Sequence, residues 1–170
     1  MSENWWGKLM TAMVAGVYGL LYMATFREWH FIDYVTLIVH EAGHPLFSFF
    51  GDTISALGGT IAQLAFPLAF IWYFFFSGQK FSAAIISYWL GFSLINVGIY
   101  AGDARVQALP LIGGEHDWAF LFSQWHLLDR AEGIGTMIID SGFVVILLSL
   151  FSSMYMLYRD RADAIHEGVL

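Results

Sequence analysis

The sequence contains no cysteine. Disulfide bonds, a thiol nucleophile and metal sites built on thiolates are therefore excluded. Charge is scarce as well, because charged residues make up 12% of the chain, about half of the share that is usual in soluble domains. Only seven of the 170 residues are Lys or Arg and the net charge is −7, so the chain offers no basic surface to which a nucleic acid would bind.

Apolar residues take the place of charge. Hydrophobic residues account for 58% of the sequence and aromatic residues for 18%. A soluble fold of this length does not have enough interior to hide that much apolar surface from water, and a disordered chain does not have this composition. The composition predicts an integral membrane protein with a single domain over residues 1–170.

The apolar residues are arranged in long runs. A helix needs about 20 apolar residues to cross a bilayer, and these runs lack the polar alternation of barrel strands. We interpret five runs as transmembrane helices: 9–26, 32–50, 53–79, 81–102 and 133–158. Residues 118–128 are also apolar, but 11 residues form a helix of only about 16 Å. The sequence therefore predicts an all-α integral membrane protein with about five transmembrane helices and a short re-entrant or interfacial helix.

The second run carries the motif His40-Glu41-Ala42-Gly43-His44. In a chain of this composition such an HExxH pattern arises by chance roughly 0.007 times. Two histidines four positions apart share one helix face, where both imidazoles can bind one Zn²⁺, and the Glu after the first His can accept a proton from water on the metal. Ionisable groups inside a membrane span are costly and usually functional. That cost favours a zinc site over two buried, hydrogen-bonded histidines.

Pro45 follows the motif directly. Its ring removes the N–H that would bond to the Glu41 carbonyl, and this predicts a kink just past the motif. Irregular backbone at this depth is tolerated where it lines a cavity. A cavity is what hydrolysis in a membrane requires, although an ordinary proline kink is the alternative explanation.

A catalytic zinc usually has three protein ligands and one open position. The best source of the third ligand is the stretch 113–117, which reads GGEHD. On chemistry alone His116 is favoured, followed by Asp117 and then Glu115. Asp117 is also well suited to be the N-cap of a helix that begins at Trp118.

Other polar or small residues within the runs have two interpretations each. Asn96 and Gln63 either bind a substrate backbone or form interhelical hydrogen bonds. Gly58-Gly59 either lets an extended substrate strand approach or allows tight helix packing. Just past the run 81–102, Asp103 has a single interpretation: it is predicted to pair with Arg105 at a helix end.

The segment VHEAGHPLF on a membrane helix, the glycine pair at 58–59 and the later Leu-Pro-rich loop with an acid resemble the site-2 protease-like zinc metallopeptidases, particularly their small prokaryotic members. The resemblance implies an all-α bundle in a prokaryotic cell membrane that binds zinc and cleaves membrane-spanning or membrane-proximal proteins. It implies His40 and His44 as zinc ligands and Glu41 as general base. In that family an Asp is the third ligand, which makes Asp117 equal to His116 as a candidate. The loop LPLIGGEHDW departs from the family's Asp-Gly pattern, and the chain has no PDZ domain.

The function expected from the sequence is thus that of a zinc endopeptidase embedded in the lipid bilayer, acting on a membrane protein or peptide substrate. Two alternatives belong to other classes. In a haem-binding membrane protein, His40 or His44 would pair with His116 or His126 as axial ligands. In a non-catalytic scaffold, zinc would stabilise a surface that binds other membrane proteins.

Overall fold

The computed structural model describes residues 5–111 and 115–166, and helices are the only regular structure in these ranges. Two 3₁₀ turns, Ser48–Phe50 and Leu128–Arg130, precede α3 and α6. The all-α prediction is confirmed for the described residues. In chain order the helices are α1 (Trp5–Ala24), α2 (Phe31–Phe47), α3 (Asp52–Phe76), α4 (Lys80–Asp103), α5 (Asp117–Gln124) and α6 (Ala131–His166).

Four segments of the described chain are long and apolar enough to cross a membrane, whereas the sequence predicts about five. Helix α2, which carries the motif, has 17 residues and is about 26 Å long, shorter than the hydrocarbon core of about 30 Å. The structure therefore supports a multi-pass membrane protein with four such segments: Trp5–Ala24, Asp52–Phe76, Lys80–Asp103 and Leu128–Asp163.

Helices α1 and α2 run in the same direction. Helix α1 is antiparallel to α6, since Lys8 pairs with Asp160 and Gly19 lies beside Ile146. Helix α2 is antiparallel to α3, with which it forms a hairpin closed by the 3₁₀ turn Ser48–Phe50. Because α3 and α6 are both antiparallel to α4, α1 and α2 are both parallel to α4.

The end of α1 meets the start of α2 near the middle of α4. The ring of Tyr22 packs on Phe92, halfway along the 24 residues of α4, with ring centroids 4.5 Å apart. The Tyr22 hydroxyl donates a 2.6 Å hydrogen bond to Asp33 in the first turn of α2. The runs 9–26 and 32–50, predicted as two separate crossings, therefore lie end to end along the bundle. Run length does not reveal this, because hydropathy carries no information about helix direction.

Helix α4 packs on α6 through glycines. Gly91 faces Gly142, and Gly98 faces Gly135. A Cβ atom on Gly135 would lie 2.5 Å from the Gly98 carbonyl oxygen. Small residues let helix backbones approach closely in membranes, where association depends on packing. The glycine contacts fix α4 against α6, and α4 then serves as the support for α3.

The short apolar segment forms α5, a helix of eight residues that is about 12 Å long. It buries Trp118, Leu121 and Phe122. The core cluster that contains these three side chains also includes Val97 and Ala101 of α4. The prediction of a short helix in this segment is confirmed, and its re-entrant or interfacial position stays a prediction. A hydrogen bond to Tyr100 places its first residue beside the end of α4.

The α4–α6 contact predicts that Gly135→Ala lowers the free energy of unfolding by about 1–3 kcal/mol, because the added methyl overpacks the interface. The matched control is Gly133→Ala on the same helix, where a Cβ meets no heavy atom within 4 Å. The control should be neutral or stabilising by up to about 1 kcal/mol. Thermal unfolding of both variants in one detergent measures the difference, and equal stabilities would contradict the contact.

Candidate metal centre

The motif histidines lie one turn apart on the face of α2 that packs against α3, and their ring centroids are 5.0 Å apart. The two helices pack closely at this point, because the backbones of Gly43 on α2 and Gly58 on α3 are in contact.

Helix α2 continues two residues past Pro45 to Phe47 and then tightens into the 3₁₀ turn. The helix thus ends soon after the motif.

The ring of His40 is oriented by α3. Its Nδ1 lies 2.9 Å from Oε1 of the buried Gln63 side chain. Because the Gln63 amide nitrogen donates to the Ser93 carbonyl and to Asn96 Oδ1, Gln63 Oε1 is the acceptor and His40 Nδ1 carries the proton. The other ring nitrogen, Nε2, is left as a free lone pair that is available to a metal.

The ring of His44 is oriented in the same way. Its Nδ1 donates a 2.9 Å hydrogen bond to the backbone carbonyl of Ser55 on α3. A carbonyl oxygen is only an acceptor, so this contact also fixes the tautomer and leaves Nε2 free. Both histidines therefore have the support that metal-binding histidines generally receive from hydrogen-bond acceptors behind the ring.

Asp117 supplies a carboxylate at the point where the two Nε2 atoms converge. Its Oδ2 lies 3.2 Å from His40 Nε2 and 3.4 Å from His44 Nε2. All three ligand atoms lie within 4.8 Å of one another. Zinc bonds of about 2.0–2.1 Å in a tetrahedron separate ligand atoms by about 3.3 Å. The donor types and the spacing to Asp117 thus fit a zinc ion with two imidazole ligands and one carboxylate ligand.

His116, the other candidate for the third ligand, has a different role. It is the N-cap of α5, and its Nδ1 accepts a 3.2 Å hydrogen bond from the Ala119 amide. Its Nε2 lies 3.5 Å from Asp103, away from the His-His-Asp group. Burial lowers the pKa of His116 below its usual value, although Asp103 opposes part of this effect. The prediction that Asp117 caps a helix starting at Trp118 is wrong, since the helix begins at Asp117 itself.

The predicted pair between Asp103 and Arg105 is also wrong. The Asp103 carboxylate accepts hydrogen bonds from the amides of Ala108 and Leu109, both at 3.0 Å. Arg105 instead lies 3.4 Å from Asp129. The chain turns back after α4 at Gln107, which has a positive φ. This turn brings the amides of Ala108 and Leu109 to the Asp103 carboxylate. Proximity in sequence did not reveal this turn.

Glu41 lines a cavity of about 410 Å³ beside the His-His-Asp group. Asn96 lines the same cavity and accepts a hydrogen bond from Gln63. The interhelical hydrogen bond predicted as one of its two roles is therefore present, and contact with a substrate remains a prediction. The other lining residues are Leu37, His40, His44, Tyr100, Leu109, Pro110, Leu111, Glu115 and Asp117.

Gly58 and Gly59 serve helix packing in the described structure. A Cβ on Gly58 would meet the Gly43 carbonyl oxygen at 2.8 Å, and one on Gly59 would meet the His40 ring at 2.6 Å. Both glycines are buried between α2 and α3. Of the two interpretations given to this pair, packing is the one that the contacts match, and no exposed backbone remains here for a substrate strand.

Sequence reasoning missed Tyr100. Its hydroxyl contacts Asp117 at both the backbone amide and the carboxylate, and its ring lines the cavity. A signal was present, because Tyr100 and Asp103 lie one turn apart at the end of an apolar run, just before the loop with the candidate ligands. Hydropathy alone gave no reason to prefer this tyrosine to the other aromatic residues.

Comparisons of the chain with protein-family models, curated proteins and solved structures find no match. The function of the site is therefore inferred from its geometry and chemistry.

The geometry predicts different metal contents for two variants of neighbouring residues. Asp117→Ala should reduce bound zinc well below one ion per chain, because a ligand is lost. His116→Asn should retain the zinc, since Asn is also a good N-cap. Metal analysis of the purified variants checks this, and the opposite pattern would assign the third ligand to His116.

The support of His40 by Gln63 predicts a weaker site in Gln63→Leu. Loss of such a hydrogen bond behind a metal ligand typically costs about 10–100-fold in affinity. Asn96→Leu is the control, because it removes one partner of Gln63 but leaves the His40–Gln63 contact and the Gln63–Ser93 bond in place. Its loss of zinc affinity should be smaller than that of Gln63→Leu. Chelator competition measures the zinc affinity of both variants. Wild-type affinity in Gln63→Leu would show that Gln63 does not support the ligand.

Proposed function

We propose that the chain is a membrane-embedded zinc endopeptidase that hydrolyses peptide bonds of membrane-spanning or membrane-proximal proteins. The observation that carries the proposal is the convergence of two imidazole nitrogens on one carboxylate oxygen, 3.2 and 3.4 Å away, beside a cavity lined by Glu41. Four apolar segments suit a multi-pass protein, and the family resemblance favours the cell membrane of a prokaryote.

His40, His44 and Asp117 would hold the zinc ion. Zinc in such a site supplies a water whose pKa is lowered to about 7 and polarises the carbonyl of a substrate. With three protein ligands, the site would match catalytic zinc sites, which keep a further position for water or substrate. The hydrogen bonds from the two histidines to α3 keep the ligand atoms oriented while a substrate binds.

Glu41 is the residue that moves the proton. Its carboxylate accepts a proton from the attacking water and transfers it to the nitrogen of the leaving amine. A positioned acid–base group of this kind contributes about 10²–10⁴-fold to the rate. Asn96 retains its amide N–H groups for a substrate carbonyl, because its oxygen is the part that accepts from Gln63. The substrate segment must unwind locally, since the hydrogen bonds of a helix shield its peptide bonds.

The two alternatives fit the geometry less well. The haem alternative pairs His40 or His44 with His116 or His126, but the free Nε2 atoms of His40 and His44 both face Asp117 Oδ2. His126 is exposed just past the end of α5. His116 is already held as a helix cap. A zinc-stabilised scaffold shares the metal ligands but gives no role to Glu41 at the cavity wall.

The proposal predicts that Glu41→Gln binds one zinc per chain, as the wild type does, and loses peptidase activity by at least about 10²-fold. The neutral amide keeps the shape of the side chain but does not accept the proton. Cleavage is measured with a panel of single-span peptides reconstituted in liposomes with the purified protein. Glu132→Gln, which changes an exposed acid at the start of α6, is the control and should cleave like the wild type.

The outcomes separate the candidate functions. Active Glu41→Gln protein would remove Glu41 from the mechanism. A wild-type protein that binds zinc and cleaves none of the peptides, with Glu41→Gln indistinguishable from it, would favour the scaffold. A visible absorption band in the purified protein would support the haem alternative instead.

A further inference from the structure

Tyr100 of α4 holds Asp117 at two points. Its hydroxyl oxygen accepts a 3.1 Å hydrogen bond from the Asp117 backbone amide. The same hydroxyl donates a 3.3 Å hydrogen bond to Asp117 Oδ2, the oxygen that both histidines face. A hydroxyl has one proton to donate and lone pairs to accept with, so both bonds can be formed at once.

The amide that Tyr100 satisfies has no partner within its own helix. Asp117 is the first residue of α5, and the first amides of a helix lack an intrahelical acceptor. The His116 cap accepts from Ala119 and leaves the Asp117 amide unsatisfied. Tyr100 therefore links the start of α5 to α4 by a hydrogen bond. The residue held by this bond is Asp117, which also supplies the carboxylate.

The ring of Tyr100 fixes the position of its own hydroxyl. One face stacks on His116, with centroids 4.2 Å apart and planes at 20°. The ring also makes an edge contact with His40, at 5.9 Å and 73°. Because α4 is itself anchored on α6 by glycine contacts, the hydroxyl is presented from a rigid element and leaves Asp117 little freedom to rotate.

We propose that Tyr100 is the positioning residue of the third zinc ligand. This inference rests on the proposed zinc centre, and it assigns to Tyr100 an effect on metal affinity that acts through Asp117. Asp117 is separated from the end of α4 by more than ten residues of sequence, and α5 has only eight residues to anchor its carboxylate opposite His40 and His44. The Tyr100 hydroxyl restricts the carboxylate to the orientation in which Oδ2 meets both Nε2 atoms.

The test is Tyr100→Phe, which removes the hydroxyl and keeps the stacked ring. Zinc affinity, measured by chelator competition on the full chain in detergent, should fall about 10–100-fold, the usual effect of losing a hydrogen bond that orients a metal ligand. Co²⁺ provides a second readout, because the intensity of its visible bands reports the coordination number, and the variant should show altered bands. The control is Tyr34→Phe, an exposed tyrosine on α2, which should match the wild type in both measurements.

A double-mutant cycle with Asp117→Asn shows whether the effect passes through Asp117. Tyr100→Phe should weaken zinc binding in the wild-type background and add little further loss in the Asp117→Asn background. Equal losses in both backgrounds would overturn the proposal, as would unchanged zinc affinity in Tyr100→Phe. Lower turnover with unchanged zinc affinity would make Tyr100 a group that acts on the reacting carbonyl, and would also overturn it.

These measurements distinguish failure of the inference from failure of the proposed function. Zinc that binds more weakly in Tyr100→Phe, in a protein that cleaves no peptide, supports the inference and removes the peptidase proposal. Cleavage by the wild type, together with unchanged zinc affinity in Tyr100→Phe, supports the peptidase proposal and removes the inference about Tyr100. A wild-type chain that does not bind zinc contradicts both.

Discussion

Two histidines on one helical turn bind the same metal ion only if both rings are held with their free nitrogens toward one point. Each ring needs a hydrogen-bond acceptor behind it, and in this protein both acceptors belong to α3: the Gln63 side chain and the Ser55 carbonyl. The separation between α2 and α3 is therefore a condition for the proposed metal site. The glycine contact between Gly43 and Gly58 sets that separation by allowing the two backbones to touch.

The same requirement extends through the bundle in a definite order. Helix α6 fixes α4 through paired glycines, α4 fixes α3 through Ser93 and Asn96, and α3 orients the rings on α2. The end of α4 also holds Asp117, the proposed third ligand, since Asp103 accepts hydrogen bonds from Ala108 and Leu109 and Tyr100 binds Asp117. Helix α4 is thus the element common to both halves of the site, and it is the most completely buried of the four segments long and apolar enough to cross a membrane.

Sequence reasoning succeeds here where a single local signal is sufficient. Apolar runs predict the long helices, residues 118–128 predict a short one, and the spacing of His40 and His44 predicts a shared helix face. It fails where the answer depends on the direction of the chain. The choice between His116 and Asp117 turns on one residue of register at the start of α5, and both residues have suitable chemistry. The end-to-end arrangement of α1 and α2, and the turn that brings Ala108 and Leu109 to Asp103, depend on tertiary contacts that no local pattern encodes.

Gln63 shows why structural and functional interpretations of a polar residue merge inside a membrane. Lipid offers no hydrogen bonds, so a buried amide must find every partner within the protein. Gln63 does so by donating twice to α4 and accepting once from His40. An interhelical hydrogen bond and the support of a ligand are therefore the same set of contacts. Replacing Gln63 by an apolar residue would leave the His40 Nδ1 proton, the Ser93 carbonyl and the Asn96 oxygen without these partners. The loss of these bonds ties the stability of the α3–α4 contact to the orientation of His40, a proposed metal ligand.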